Sequence, residues 1–258
     1  MIISAWNVNS LNVRLPRLLG WLAATRPDVV CLQETKLEDH KFPVADLEAS
    51  GYVAHYTGQK TYNGVAILVR QGLEVHDVAM GLPGFDDPQQ RVIAATVAGI
   101  RIIGVYVPNG QALDSDKYPY KLTWLKALAA MLQAELAAHP QLAVLGDFNV
   151  APDDRDVHDP AAWVGQVLVS PPERAALQVL LDAGLTDSFR LFKQPPNTFS
   201  WWDYRMLAFP KNRGLRIDLI LLSQALAARC TGSRIDRSAR KGEKPSDHAP
   251  VLVELREP

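Results

Sequence analysis

The chain has 258 residues, 48% hydrophobic and 21% charged, a composition that suits a soluble globular protein burying one sizeable core, so a single domain over 1–258 is expected. Its 27 basic and 28 acidic side chains leave a formal net charge of -1, which excludes a global field drawing the protein to nucleic acid or membrane but not a local basic face. Cys31 and Cys230 are too few for a disulfide scaffold, no uncharged stretch is long enough to span a bilayer, and MIISAW lacks the features of a signal peptide, so a cytoplasmic location is expected.

In chain order, short apolar runs bounded by turn residues predict strands at 2–6, 29–32, 65–69, 92–97, 101–107, 142–145, 219–222 and 251–255. Helices are predicted at 14–25, ending before Pro27, at 121–138, closed by His139-Pro140, and from Pro171 to Gly184. In the last of these Ser170 and Glu173 have capping-box spacing. The two-residue link Ala98-Gly99 implies an antiparallel pair, and the helices between other strands must cover sheet faces. A sheet-on-sheet core flanked by helices follows. The stretch 151–169, with DDRDVHDP, is the longest predicted loop, and long loops in compact domains are often functional.

Polar residues cluster at particular strand ends. Asn7 and Asn9 follow the first strand, Gln33 and Glu34 the second, Tyr106 and Asn109 the fifth, and Asp147 and Asn149 the sixth. Asp218 and Asp247-His248 instead precede the last two strands. If those two run opposite to the others, all these groups meet at one edge of the core and form a cleft. Carboxylates and amides without clustered cysteine or histidine suit a hard cation such as Mg²⁺, bound at about 2.0 to 2.1 Å, with Mn²⁺ as a substitute. Donors from Asn, Tyr and His around such a cation suit phosphoryl chemistry, and Asp218 is the candidate to hold His248 protonated. The other histidines, His40, His55, His76 and His139, read as ordinary hydrogen-bonded side chains.

The ordered blocks WNVNSL, LQETK, NGVAIL, VYVPNG, LGDFN, SWWDYR, NRGLRIDLILLS and KPSDHAPV closely resemble the exonuclease III family of DNA-repair nucleases. The resemblance implies a four-layered α/β sandwich of two packed mixed β-sheets flanked by helices. It implies Glu34 as the main Mg²⁺ ligand, with Asn7 nearby and Asp247 as a further ligand or acid; Asp147 and Asn149 are secondary metal candidates. Asp147 would activate the water, Asn149 would fix the water or phosphate, Tyr106 and Asn109 would contact the phosphate, and His248, oriented by Asp218, would stabilise the transition state. Trp201 would wall the pocket for an extrahelical abasic sugar, and Asn9 would contact substrate. The implied partner is double-stranded DNA with abasic sites or with blocked or recessed 3′ ends, met near the nucleoid; no obligate protein partner is implied.

Two basic segments could hold the DNA backbone: Arg205, Lys211, Arg213 and Arg216 with no acid among them, and residues 234–244, with five basic and two acidic residues. One departure from the family concerns 153–169, which is often asparagine- and lysine-rich in relatives that strongly cleave abasic sites but carries His158 and Trp163 here. A bulky rim of this kind would favour free 3′ ends over a flipped abasic nucleotide. Two other readings stay open: a phosphatase of the same superfamily acting on inositol or lipid phosphates, and a DNA-binding module without catalysis.

Overall fold

Four of the eight predicted strands, 29–32, 65–69, 142–145 and 219–222, are apolar at every position rather than alternating, the pattern of strands covered on both faces. The computed structural model, which describes residues 1–257, shows what covers them. In chain order the elements are β1 (Ile2–Asn7), α1 (Leu11–Thr25), β2 (Val29–Gln33), α2 (Val44–Ala49), β3 (Tyr52–Thr57), β4 (Val65–Arg70), β5 (Val75–Met80), β6 (Val92–Val97), β7 (Ile100–Tyr106) and α3 (Lys117–Ala138). They continue with β8 (Leu142–Asp147), α4 (Pro160–Trp163), α5 (Pro171–Asp182), β9 (Leu185–Asp187), β10 (Asp218–Ser223), α6 (Gln224–Ala227), β11 (Cys230–Ile235) and β12 (Val251–Leu255).

The strands form two six-stranded mixed sheets, ordered β11-β12-β1-β2-β4-β3 and β5-β6-β7-β8-β10-β9. Each has one central parallel pair, β1 with β2 and β7 with β8, and antiparallel pairs elsewhere. Side-chain alternation divides each strand between two cores. From β2, Val29 and Cys31 join Ala143, Leu145 and Ile220 between the sheets, whereas Val30 and Leu32 pack with Leu18 and Leu22 of α1. From β8, Leu142 and Val144 turn the other way, onto Leu128 of α3 and Leu177 of α5. The result is the four-layered α/β sandwich.

All eight predicted strands are present, and the four that sequence reading missed, β3, β5, β9 and β11, are the outer strands of the two sheets. An edge strand is covered less completely, so it lacks a continuous apolar run: β5 is exposed along nearly its whole length. Two helices begin earlier than predicted. α1 starts at Leu11 and tolerates Pro16 because Leu11, Leu18, Trp21 and Leu22 anchor it, and α3 starts at Lys117 with Pro119 in its first turn, where the missing N–H costs nothing. The predicted loop 151–169 holds a short 3₁₀ turn, Asp154–Asp156, and α4. Among the described residues no helix is long and apolar enough to cross a membrane.

Candidate active site

Strand direction assembles the site. β10 runs antiparallel to β8 with Asp218 opposite Asp147, and β7 runs parallel to β8 with Tyr106 beside Asp147. β12 runs antiparallel to β1, which brings the Asp247-His248 turn back beside Asn7. The ends of β1, β2, β7 and β8 and the starts of β10 and β12 therefore share one edge of the sandwich. Gly146 permits this close approach, since a Cβ there would lie 1.9 Å from the Val105 carbonyl oxygen.

At the centre the Asn7 amide donates to Glu34 Oε1 at 2.8 Å and to Asp147 Oδ2 at 2.9 Å. His248 Nε2 lies 3.8 Å from Asp147 Oδ2, while His248 Nδ1 donates to Asp218 Oδ2 at 2.9 Å. Ser200 Oγ in turn donates to Asp218 at 2.6 Å and fixes it. Asn149 donates its backbone N–H to Asp147 Oδ1 at 2.9 Å and accepts from the Asn109 amide at 3.0 Å. Glu34, Lys36, Asn9 and Asn149 all have left-handed backbones, at φ of 53°, 54°, 44° and 48°. Such strain persists only where surrounding contacts enforce it, as at functional sites.

The electrostatics follow from crowding acids in a buried space. Burial pushes the Asp147 carboxyl above its ordinary value, opposed by His248 and reinforced by Asp218 and Glu34. Burial would lower His248, but Asp218, Asp147 and Asp247 outweigh it and raise the imidazole to about 10. Burial, and then the charges of Glu34 and Asp147, push the Tyr106 phenol well above its usual range, so it stays a hydrogen-bond donor.

Glu34, Asp147 and His248 bring polar atoms within 4.8 Å of one another, an arrangement in which the two carboxylates can hold a metal ion while the protonated imidazole stands beside them. The donor set fits a hard divalent cation: two carboxylates are bridged by the Asn7 amide, and a cation there would offset the burial and the neighbouring acids that raise Asp147. Asp247, expected near the metal, stands apart from that trio, accepting from the Asn9 amide at 2.9 Å and from Trp201 Nε1 at 3.0 Å. Lys36, which sequence reading passed over, lies 2.8 Å from Glu34 Oε2 and donates to Asn9 at 2.6 Å. Its position in LQETK, two residues after Glu34, was the available signal.

Around this centre, a groove of about 600 Å³ opens beside Tyr106 and Asn109 and is lined also by Tyr62, Arg91 and Lys117. Arg91 stacks over the Tyr106 ring at 4.6 Å. Arg205, Lys211 and Arg213 are exposed, as DNA contact requires, but Arg216 is not available: it is buried and bridges Asp156 at 2.7 Å and Asp187 at 2.6 Å. Arg240 is also buried, stacked on Tyr204 and Phe209. The two adjacent tryptophans part as alternation demands, Trp202 fully buried and Trp201 half-buried beside Asp247.

A site of this kind, on two packed mixed sheets, defines a class of metal-assisted phosphoester hydrolases, and the chain belongs to the Endonuclease/Exonuclease/phosphatase family, whose model matches residues 4–248. Within that family it is a nuclease of the exodeoxyribonuclease III type. It is 37% identical to exodeoxyribonuclease III of Haemophilus influenzae over 265 residues, covering 98% of each chain. Among solved structures it is similar to a 3′ phosphatase from Neisseria bound to a product DNA hairpin, at 49% identity and a TM-score of 0.97, and to an AP endonuclease from Archaeoglobus fulgidus, at 38% and 0.95, each covering 100% of both chains.

Proposed function

We propose that the protein hydrolyses phosphodiester and phosphomonoester bonds at damaged or recessed 3′ ends of double-stranded DNA, with Mg²⁺ as its cofactor. The observation that carries this reading is the meeting of Glu34, Asp147 and the Asp218-held His248, whose polar atoms lie within 4.8 Å of one another at one edge of the sandwich. Glu34, with Asp147 and the Asn7 amide, would hold the ion, which when bound supplies neutralisation of phosphate charge.

The chain's own residues supply the rest. Asp147, held by the Asn149 backbone N–H and the Asn7 amide, accepts the proton of the attacking water, and Asn149 holds that water or the phosphate in place. The water oxygen bonds to phosphorus, the bond from phosphorus to the 3′ oxygen breaks, and that oxygen takes a proton from solvent water to leave a 3′-hydroxyl. Tyr106 and Asn109 donate hydrogen bonds to phosphate oxygens, and the protonated His248 faces the charge that develops in the transition state. Asp247 orients Asn9 and the Trp201 ring, rather than binding the ion, and Arg205 and Arg213 hold the backbone beside the cleft.

Preference for 3′ ends over abasic sites is supported by the rim. Trp201 and Trp163 pack on one apolar cluster with Val157, Leu168 and Leu215, and His158 meets Trp163 edge to face at 6.5 Å. Bulk there leaves less room for a flipped sugar. Comparing turnover of a duplex with a 3′-phosphate, a recessed 3′ end, an abasic duplex and an inositol phosphate tests the proposal. The two 3′-end duplexes should lead, and preferential turnover of the inositol phosphate would overturn it.

A further inference from the structure

A lysine with no solvent exposure sits inside the second sheet's helical layer, and its position is chemically unusual. Lys121 of α3 extends Nζ to three acceptors: the Asn149 carbonyl at 2.6 Å, the Asn109 carbonyl at 3.1 Å and Glu173 Oε1 at 2.5 Å. An ammonium has three N–H donors, so every one is used. Its stem passes Gly110, where a Cβ would come within 3.2 Å of Lys121 Cδ. Glu173, also fully buried, has a second set of partners, accepting from the backbone N–H groups of Leu168 and Ser170 and from Ser170 Oγ.

Burying such a pair brings no evident gain in stability over apolar side chains of the same size. What it does bring is geometry. Asn109 and Asn149 lie on separate loops, one after β7 and one after β8, and Asn149 is held in a left-handed conformation at φ 48°. Their side chains bond to each other at 3.0 Å, and the same ammonium grips both main chains from behind. Glu173 then ties this grip to the rim segment that ends the 151–169 stretch. We propose that Lys121, paired with Glu173, is a positioning residue that sets the distance and orientation of the Asn109 and Asn149 amides toward the scissile phosphate without touching substrate.

The proposal rests on the assignment of those two asparagines to the phosphate, so the test separates the two claims. Lys121→Met/Glu173→Gln removes both charges while keeping the stem and an acceptor, which protects the fold; Glu173→Gln alone provides a second, milder variant. Steady-state cleavage of a recessed 3′ end is measured for each, with thermal melting as the check on folding. The expected result is kcat lowered roughly tenfold or more with KM within about twofold, in folded protein, because a misplacement of about 1 Å is costly to a positioned group. The loss should also shrink when the double substitution is combined with Asn149→Ala, since the clamp then has nothing to position. A folded double variant, or a folded Glu173→Gln should the double variant fail to fold, with kcat within about twofold of wild type would overturn the positioning role. Full activity in Asn109→Ala and Asn149→Ala would instead overturn the phosphate assignment beneath it.

Discussion

Asp218 accepts the Nδ1 proton of His248 at 2.9 Å, and both side chains are closed off from solvent. Burial alone would lower the imidazole, yet Asp218, Asp147 and Asp247 raise it to about 10. The folded value lies above the ordinary value of about 6.5, so the pairing contributes stability that is fully present below about pH 6.5 and is lost as pH rises through the folded value. Asp218→Asn removes the largest raising influence. The variant should lose kcat by about 10² or more, and the alkaline limb of its pH-rate profile should move to lower pH. An unmoved limb contradicts the role given to this pair.

The metal assignment separates Glu34 from Asp247. Glu34→Gln weakens a group in direct reach of Asp147 and His248, so half-saturating Mg²⁺ should rise by roughly tenfold or more. Asp247→Asn disturbs the Asn9 and Trp201 contacts, so it should lower turnover with little change in the metal requirement. Activity measured across a Mg²⁺ titration distinguishes them.

Basic residues of the 205–216 segment divide by burial. Replacing exposed Arg205 and Arg213 with alanine should reduce the slope of log affinity against log salt by about 1.8, because two phosphates are no longer neutralised, while leaving melting unchanged. Arg216→Met should do the reverse, destabilising the fold by about 3 to 5 kcal/mol because Asp156 and Asp187 stay buried without its guanidinium.

The tryptophan pair divides in the same way. Trp202→Ala empties a fully buried position and should cost about 3 to 5 kcal/mol in chemical denaturation. Trp201→Ala should cost less stability and act on KM for DNA, since this ring is only partly buried and bonds Asp247 through Nε1.

These contrasts show where sequence reading was sufficient. The central strands were legible because both faces are covered, and the site was legible because Asn7, Glu34, Tyr106, Asp147, Asp218 and His248 sit at strand ends whose direction decides where they meet. β3, β5, β9 and β11 were not legible, since an edge strand has no continuous apolar run to mark it. Arg216 illustrates a different limit: it closes a segment that also carries Arg205, Lys211 and Arg213, but its partners, Asp156 and Asp187, are distant in the chain. Lys121 stood out only as the first residue of a predicted helix, because its three acceptors all come from other segments.

The most direct test measures shortening of a recessed 3′ strand in duplex DNA by the wild-type protein and Asp147→Asn, each with Mg²⁺ and with excess chelator. The wild type should act only with the metal, and Asp147→Asn should be slower by about 10² or more under the same conditions. Undiminished cleavage by the chelated protein, or by Asp147→Asn, would contradict a hydrolytic centre built on Glu34, Asp147 and His248.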